Sequence, residues 1–474
     1  MDWLQRASVA IWAACAAVAL AVGCSGDKDP DDALTATAAE AVLRGEEITE
    51  QMLAAYRKAR RYSDRAVYVQ QSAHRSDGVE RQQPFFTMSL AFERPNKLRL
   101  KFAEAKAAGA EPKGYDVASN GALERATMAE IPGQVQEGPA PATITLDNLF
   151  PDPLIEQSLA GHALADVFPQ LAMLLNVDDA GVVFPHDERP TLEGIEPLRG
   201  RKCYRVSTTS PAGKRTFWID ADTHLLHRMQ LPIESQRAQL DAANQYARLA
   251  VWIDFEDVSV DAEINPDAFD LPVPAGAVRV SHFAAPPPAG PDERLGKPLN
   301  IVALRSLADE TPVDFSGKTT LLSFWQLDCP GCKLHAPELA QISENLADQD
   351  DAVCYAVNID GVRAPAEVLQ RTFAAWGGGM PILRPADDSS LESLGIAGTP
   401  TLMLLDAEGR LQHLHLGPIE SAAAVQKLVE KVRDGADLAA EAQAEHEKSV
   451  EEFQKRLADV TIADAGESAG QASQ

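Results

Sequence analysis

Residues 324 to 337 read FWQLDCPGCKLHAP, with Cys329 and Cys332 separated by a proline and a glycine. A thiol attacks as its thiolate, and a helix N-terminus stabilises that anion through its free N–H groups and its dipole. The apolar run ending at Phe324 and Trp325 predicts a strand, the residues after Cys329 predict a helix, and Cys329 falls at their junction. Cys332, one helical turn on, can swing back to resolve a mixed disulfide. Pro330 and Gly331 keep the turn tight, and Pro337 stands where it would kink the helix. A metal site is the competing reading. It needs four ligands, whereas Cys329, Cys332 and His335 offer only a partial set on one helix, with no second C-x-x-C or H-x-x-H nearby. No metal and no other cofactor is therefore expected.

The elements that must hold this pair lie between residues 296 and 434. KTTLLSFWQL, the helix from the cysteines to about Ala347, AVCYAVNID, PAEVLQRTFAAW, TLMLLDAEG, RLQHLHLG and SAAAVQKLVEKVRDG alternate strand and helix. The first two strands straddle a helix and should run parallel. The last two are joined by DAEG and should form a hairpin. The result is an α/β sandwich on a mixed sheet. GIAGTPTLMLLD places Thr399 and Pro400 directly before a strand, and Gly417 follows RLQHLHL.

With its CPGC pair, its Thr399-Pro400 loop and the lead-in GKPLNIVALRSLADETPVDFSGKTTLLSFW, this region resembles thioredoxin-like domains of the TlpA/ResA type. The resemblance implies a thiol-disulfide oxidoreductase in which Cys329 attacks, Cys332 resolves, and Thr399 and Pro400 form a cis-proline loop lying against the cysteines. It also implies that Gly417 permits close approach on the same face. Two positions depart from the family. Ser323 stands where many thioredoxins carry a buried carboxylate, and Asp328 stands where a tryptophan usually precedes the first cysteine. A carboxylate beside Cys329 opposes the thiolate and favours a reducing pair. A catalytically dead fold serving as an interaction module is the alternative, opposed by the presence of both cysteines and Pro400. Cys354 in AVCYAV and Cys203 in RKCYRV read as buried small hydrophobes, and His413 and His415 as surface or packed residues.

Residues 35 to 277 have a different rhythm. After the helical stretch ITEQMLAAYRKARRY, the segments RAVYVQQ, FFTMSLAFE, KLRLKFA, RKCYRVSTT, KRTFWID, LLHRMQL and YARLAVWIDFEDV read as antiparallel strands. DPLIEQSLAGHALADVFPQLAMLLN is a helical insert, and together these predict an open antiparallel β-barrel with a helical lid. The opening helix, FERPNKLRLKF, GKRTFWIDADTHLLHRMQL and the closing INPDAFDLPVPAGAVRV resemble the LolA/LolB-like lipoprotein-carrier superfamily. That resemblance implies an acyl-chain ligand on a concave face. Phe85, Met88, Leu90 and Phe92 with Leu171, Met173 and Leu174 either line such a cavity or simply pack against the lid.

The chain opens MDWLQRASVAIWAACAAVALAVGCSGDKD, which has the layout of an export signal ending in a lipobox at Cys24. The apolar run, roughly 16 residues, is short for a spanning helix. Cys24 is thus the expected site of lipidation, the alternative being an uncleaved anchor or a Cys15 and Cys24 pair of no importance. Ser25 after the cysteine favours, by resemblance to bacterial lipoproteins, the outer membrane, with the protein facing the periplasm. The 474 residues exceed one core, 45% hydrophobic content is globular, and a net charge of -27 argues against nucleic acid.

The organisation expected is an α+β multidomain protein. It comprises a signal peptide over 1–24, the LolA-like barrel over 35–277, a proline-rich linker over 278–295, the thioredoxin-like domain over 296–434, and a helical then disordered tail over 435–474. Its expected partners are a protein disulfide substrate, an upstream thiol electron donor, a membrane through the N-terminal lipid, and an acyl chain. A lipid or lipoprotein carrier with an accessory redox fold is the rival function.

Overall fold

The computed structural model describes residues 38–105, 113–158, 167–175, 184, 188–237, 241, 246–299, 304–361, 364–387 and 395–463. Cys15, Cys24 and the signal lie outside these residues. The chain divides into two compact units, one running to Ala285 and taking back the chain from Arg456, the other Pro286–Lys455.

The first unit is built on a 12-stranded sheet. In chain order its strands are β1 (Arg61–His74), β2 (Glu80–Glu93), β3 (Lys97–Glu104), β4 (Gly114–Asn120), β5 (Leu123–Met128), β6 (Gln134–Pro139), β7 (Thr191–Leu198), β8 (Arg201–Ser210), β9 (Gly213–Asp220), β10 (Leu226–Gln230), β11 (Tyr246–Val260) and β12 (Val278–Val280). The spatial order is β12-β6-β5-β4-β3-β2-β1-β11-β10-β9-β8-β7, antiparallel throughout except for the parallel β6–β12 pair. The long partners β1 and β11 sit mid-sheet.

Apolar side chains alternate to one face, where Tyr62, Ala66, Tyr68, Met88, Leu90, Phe92, Leu98 and Leu100 are buried. Helix α1 (Ala38–Lys58) lays Ile48, Met52, Leu53 and Tyr56 into the same core, an apolar stripe at helical spacing. The insert forms two short helices, α2 (Pro153–Ser158) and α3 (Pro169–Leu175), and every residue of α3 is buried. Leu171, Met173 and Leu174 pack with Met88, Leu90 and Phe92 in one cluster, which Phe85 flanks. Of the two arrangements open to these residues, the described side chains adopt the packed one.

The segment from 278, expected as linker, differs. Val278–Val280 pairs with β6, and Phe283 and Ala284 are buried. Their amides donate to Asp152 Oδ2 at 2.7 Å and Gln134 Oε1 at 2.9 Å, so the first unit keeps the chain through Ala284. Burial and paired amides outweigh the proline run that follows.

The second unit has a six-stranded sheet of order β13-β16-β15-β14-β17-β18. Its strands are β13 (Leu304–Ser306), β14 (Thr319–Trp325), β15 (Ala352–Asn358), β16 (Ile382–Pro385), β17 (Thr401–Leu405) and β18 (Leu411–Leu416). β14, β15 and β16 are parallel, and β17 and β18 form the antiparallel hairpin. All seven residues of β14 are buried, as befits a central strand covered on both faces. Leu321 and Trp325 point to one core with helices α4 (Pro330–Leu346), α5 (Ala366–Ala375) and α6 (Ala422–Arg433), while Leu322 and Phe324 point to another. A last helix, α7 (Leu438–Val460), supplies Leu438 to the second unit's core, and its residues Leu457 and Val460 pack on the first unit's core.

Candidate active site at the carboxyl ends of the parallel strands

β14 ends at Trp325, and α4 begins at Pro330 with Cys329 as its N-cap. A proline at the first helical position has no N–H to waste and a φ already set for the helix. The Cys332 N–H donates to Cys329 Sγ at 3.1 Å, so the helix aims a free amide at the sulfur that would carry charge. Cys329 and Cys332 are joined in a disulfide with Cα atoms 5.2 Å apart, and both are buried.

Pro400 lies against this turn. A Cβ on Gly331 would stand 3.1 Å from Pro400 Cδ, so glycine is what lets the two loops touch. The Thr399–Pro400 peptide is cis, and the Thr399 hydroxyl donates to Gln326 Oε1 at 3.1 Å. Gly417, in the left-handed region at φ 98°, donates its N–H to the Pro400 carbonyl at 2.8 Å. Cys329, Cys332, Thr399, Pro400 and Gly417 are thus gathered in one place by three loops at one end of the sheet.

Other residues complete the frame. Asp360, just past β15, accepts from the Leu327 N–H at 2.9 Å and from Asn358 Nδ2 at 2.6 Å, fixing the run into the cysteines. His335, on α4, is buried and accepts the Ile419 N–H on Nε2 at 3.2 Å. Burial holds its pKa below the ordinary histidine value, with Glu338 opposing and His415 reinforcing that shift. Trp325 packs on Phe373 and Trp376, with ring centroids 4.8 and 5.5 Å away. Nothing in the local residue pattern marks Gln326 or Asp360 as frame residues. The one available signal was position, since polar side chains just beyond the carboxyl ends of parallel strands commonly serve a site there.

Asp328 is exposed, so its charge acts on Cys329 through water. Ser323 is buried in β14 opposite Ala356 and Leu402, and it brings no acid behind the pair. Leu334 and Leu416 are exposed at 74% and 56%, and Leu416 Cδ1 comes within 3.7 Å of where a Cβ on Gly398 would lie. Apolar surface therefore borders the proline loop. Away from the site, burial pushes the Cys354 thiol up to about 12 and the Cys203 thiol up to about 11, which makes both poor nucleophiles. His415 Nε2 lies 2.7 Å from the Pro418 carbonyl. Among the described residues no group of three or more His, Cys, Asp and Glu is placed to hold a metal ion.

The described residues of the first unit enclose a groove of about 770 Å³. Phe102, Tyr115, Met128 and Ile131 contribute its apolar lining, and Lys101 and Lys113 stand on its border.

Residues 304–431 match the Redoxin family. The chain is 27% identical over 135 residues to the thiol:disulfide interchange protein DsbE of Pseudomonas aeruginosa, a stretch covering 27% of this chain and 71% of that protein. It is 30% identical over 123 residues to the thioredoxin-like protein YneN of Bacillus subtilis, covering 24% and 66%. To the thiol-disulfide oxidoreductase ResA of Halalkalibacterium halodurans it is 26% identical over 104 residues, covering 22% and 57%. The C-terminal region is a redoxin domain of thioredoxin-like fold, and the chain carries a thiol-disulfide oxidoreductase.

Proposed function

We propose that the protein is a thiol-disulfide reductant of the cell envelope, working through Cys329 and Cys332 and held to a membrane by lipid on Cys24. The observation that carries the redox reading is the pair itself, at the N-terminus of α4 with the ring of Pro400 against Gly331. The Cys329 thiolate attacks one sulfur of a substrate disulfide, forming a mixed disulfide and releasing the other sulfur as a thiolate that takes up a proton. The Cys332 thiolate then attacks Cys329 Sγ, closing the intramolecular disulfide and releasing the second substrate thiol. Two electrons pass to the substrate, and an upstream thiol donor must return them. Leu334 and Leu416 offer apolar contact for the substrate chain, and the Thr399–Pro400 loop shapes its groove.

The reducing direction rests on Asp328. Its carboxylate disfavours a neighbouring thiolate and so disfavours the dithiol relative to the disulfide. Exposure keeps the effect modest. The test is to reduce the full chain, mix it with insulin, and follow oxidation of the pair by alkylation and mass spectrometry. Oxidation stoichiometric with insulin reduction supports the reading, and a pair left reduced refutes it. Metabolic lipid labelling of wild type against Cys24→Ala tests the anchor, and fractionation of the outer membrane tests its place.

A second reading concerns the first unit, and the groove beside Phe102 and Tyr115 favours it. With the interior filled by α3, an acyl chain would lie in this groove, its carboxylate near Lys101 or Lys113. Each buried methylene contributes about 0.8 kcal/mol, so about ten suffice for micromolar binding before ordering costs. Lipid co-purifying with the full chain, with saturable binding of a fluorescent fatty acid, is the expected result; neither being found would leave this unit a scaffold.

A further inference from the structure

His335 stands one turn beyond Cys332 on α4, and its imidazole is buried although no step of the thiol exchange uses it. Its Nε2 accepts the Ile419 N–H at 3.2 Å, across 84 residues of sequence. A neutral ring that accepts on Nε2 carries its proton on Nδ1. Ile419 belongs to the short turn after β18, and that turn also holds Gly417, whose N–H donates to the Pro400 carbonyl at 2.8 Å. Pro418 in the same turn places its carbonyl 2.7 Å from His415 Nε2. The chain of contacts therefore runs from the cysteine-bearing helix through His335 to Ile419, along the turn to Gly417, and on to Pro400, which lies back against Gly331 between the two cysteines. The turn behind the loop that faces the disulfide is thus held to the cysteine-bearing helix by the His335 imidazole, with His415 on its other side.

We propose that His335 is a positioning residue, holding the Gly417–Ile419 turn and with it the Pro400 loop against the cysteine turn only while its imidazole is neutral. Imidazolium has no lone pair to offer, so protonation turns the acceptor into a donor facing another donor. The titratable groups that face His335 are Glu338, on its own helix, and His415, from β18. Glu338 favours the charged ring, whereas burial and His415 disfavour it, and burial is the largest influence. The contact accordingly holds through neutral pH and is released on the acid side of the ordinary histidine value. Release loosens substrate positioning while leaving the sulfur chemistry of Cys329 and Cys332 in place. The inference rests on the redox reading above for its consequence, but the contact can be observed without it.

The test uses the full chain in its oxidised state, with nitrogen-labelled isoleucine and glycine, and compares wild type with His335→Gln and His335→Leu. Glutamine reaches the same point with a carbonyl oxygen that does not titrate, and leucine offers no acceptor. The Ile419 amide proton of wild type should move upfield as pH falls through the acid side of the ordinary histidine value, with the Gly417 amide following at the same midpoint. In His335→Gln the Ile419 resonance should stay downfield across that range, and in His335→Leu it should be upfield throughout. In insulin reduction, His335→Leu should raise KM roughly 5- to 10-fold with kcat within about 2-fold, and His335→Gln should restore KM, a split that marks positioning rather than chemistry. An Ile419 amide that ignores pH in wild type, or equal KM values for the glutamine and leucine variants, would overturn the proposal. Were the wild type to leave insulin untouched, the redox reading would fail while the Ile419 titration still decided whether the contact exists.

Discussion

The two units place their polar side chains to different ends. In the second, Thr399 with Gln326, Asn358 with Asp360, and His335 with Ile419 pair donor to acceptor around the cysteine pair, while Trp325 Nε1 and Glu338 Oε2 are buried without a hydrogen-bond partner among the described residues. In the first, Asp64 is buried on the inner face of β1, where its Oδ2 accepts from the Tyr62 hydroxyl at 2.9 Å and Gln170 Nε2 at 3.1 Å. Its Oδ1 and Gln170 Oε1 have no hydrogen-bond partner among the described residues. Burial pushes the Asp64 carboxyl up to about 7. Polar groups that converge on a loop junction prepare chemistry. A lone acid under a packed helix makes its unit sensitive to pH and prepares nothing further that the structure displays.

The comparison breaks most easily at the sulfurs. Cys329→Ser should lower disulfide reduction by about 10³-fold or more, because the attacking thiolate is lost. Cys332→Ser should instead accumulate mixed disulfides with substrate, visible on non-reducing gels. Equal trapping by both variants would contradict the assigned roles.

Asp64 supplies the next largest effect. Its folded-state pKa of about 7 lies above the ordinary 3.8, so the folded form holds the proton more tightly. The corresponding stability is fully present below 3.8 and is lost as pH rises through about 7. The loss amounts to about 4 kcal/mol at most, and Asp64→Asn should abolish it. Denaturation of the full chain, followed by probes in each unit, should show the first unit weakening between about pH 4 and about pH 7 and levelling off above that. A first-unit transition independent of pH would remove this contrast between the units.

Gly331 sharpens the second unit's side of the comparison. Gly331→Val places a branched side chain where only 3.1 Å separates the Cβ from Pro400 Cδ, so the loops must part. KM for a protein disulfide should rise about 10-fold, equivalent to about 1.4 kcal/mol, with the fold's thermal midpoint changed far less. Asp328→Asn should do least, shifting the pair toward oxidant by about 10 mV because the carboxylate is solvated. An unchanged or more reducing potential would remove the argument for direction.

The site was more legible in the sequence than the frame that holds it. Cys329, Cys332, Thr399 and Pro400 carry their meaning in residue type and local order. Gln326, Asp360 and His335 do not, because each acts through one hydrogen bond to a distant segment. The strands show the same limit. KTTLLSFWQL, a continuous apolar run, gave away β14, whereas GYDVASN, LERATM and QVQEGP hold β4, β5 and β6 with little apolar alternation. Those three are drawn into the sheet by their ladder partners rather than by their own pattern. Strand β1 starts at Arg61, earlier than RAVYVQQ suggested, and that extension is what carries Asp64 inside.

The reduction potential of the Cys329–Cys332 pair in the full chain bears most directly on the central claim. It is measured by equilibration in graded dithiol buffers, with the pair's peptide quantified after alkylation. A reductant predicts a two-electron transition between about -320 and -200 mV. A potential near about -120 mV would make the protein an oxidant, and no transition at all would make the redoxin fold inert.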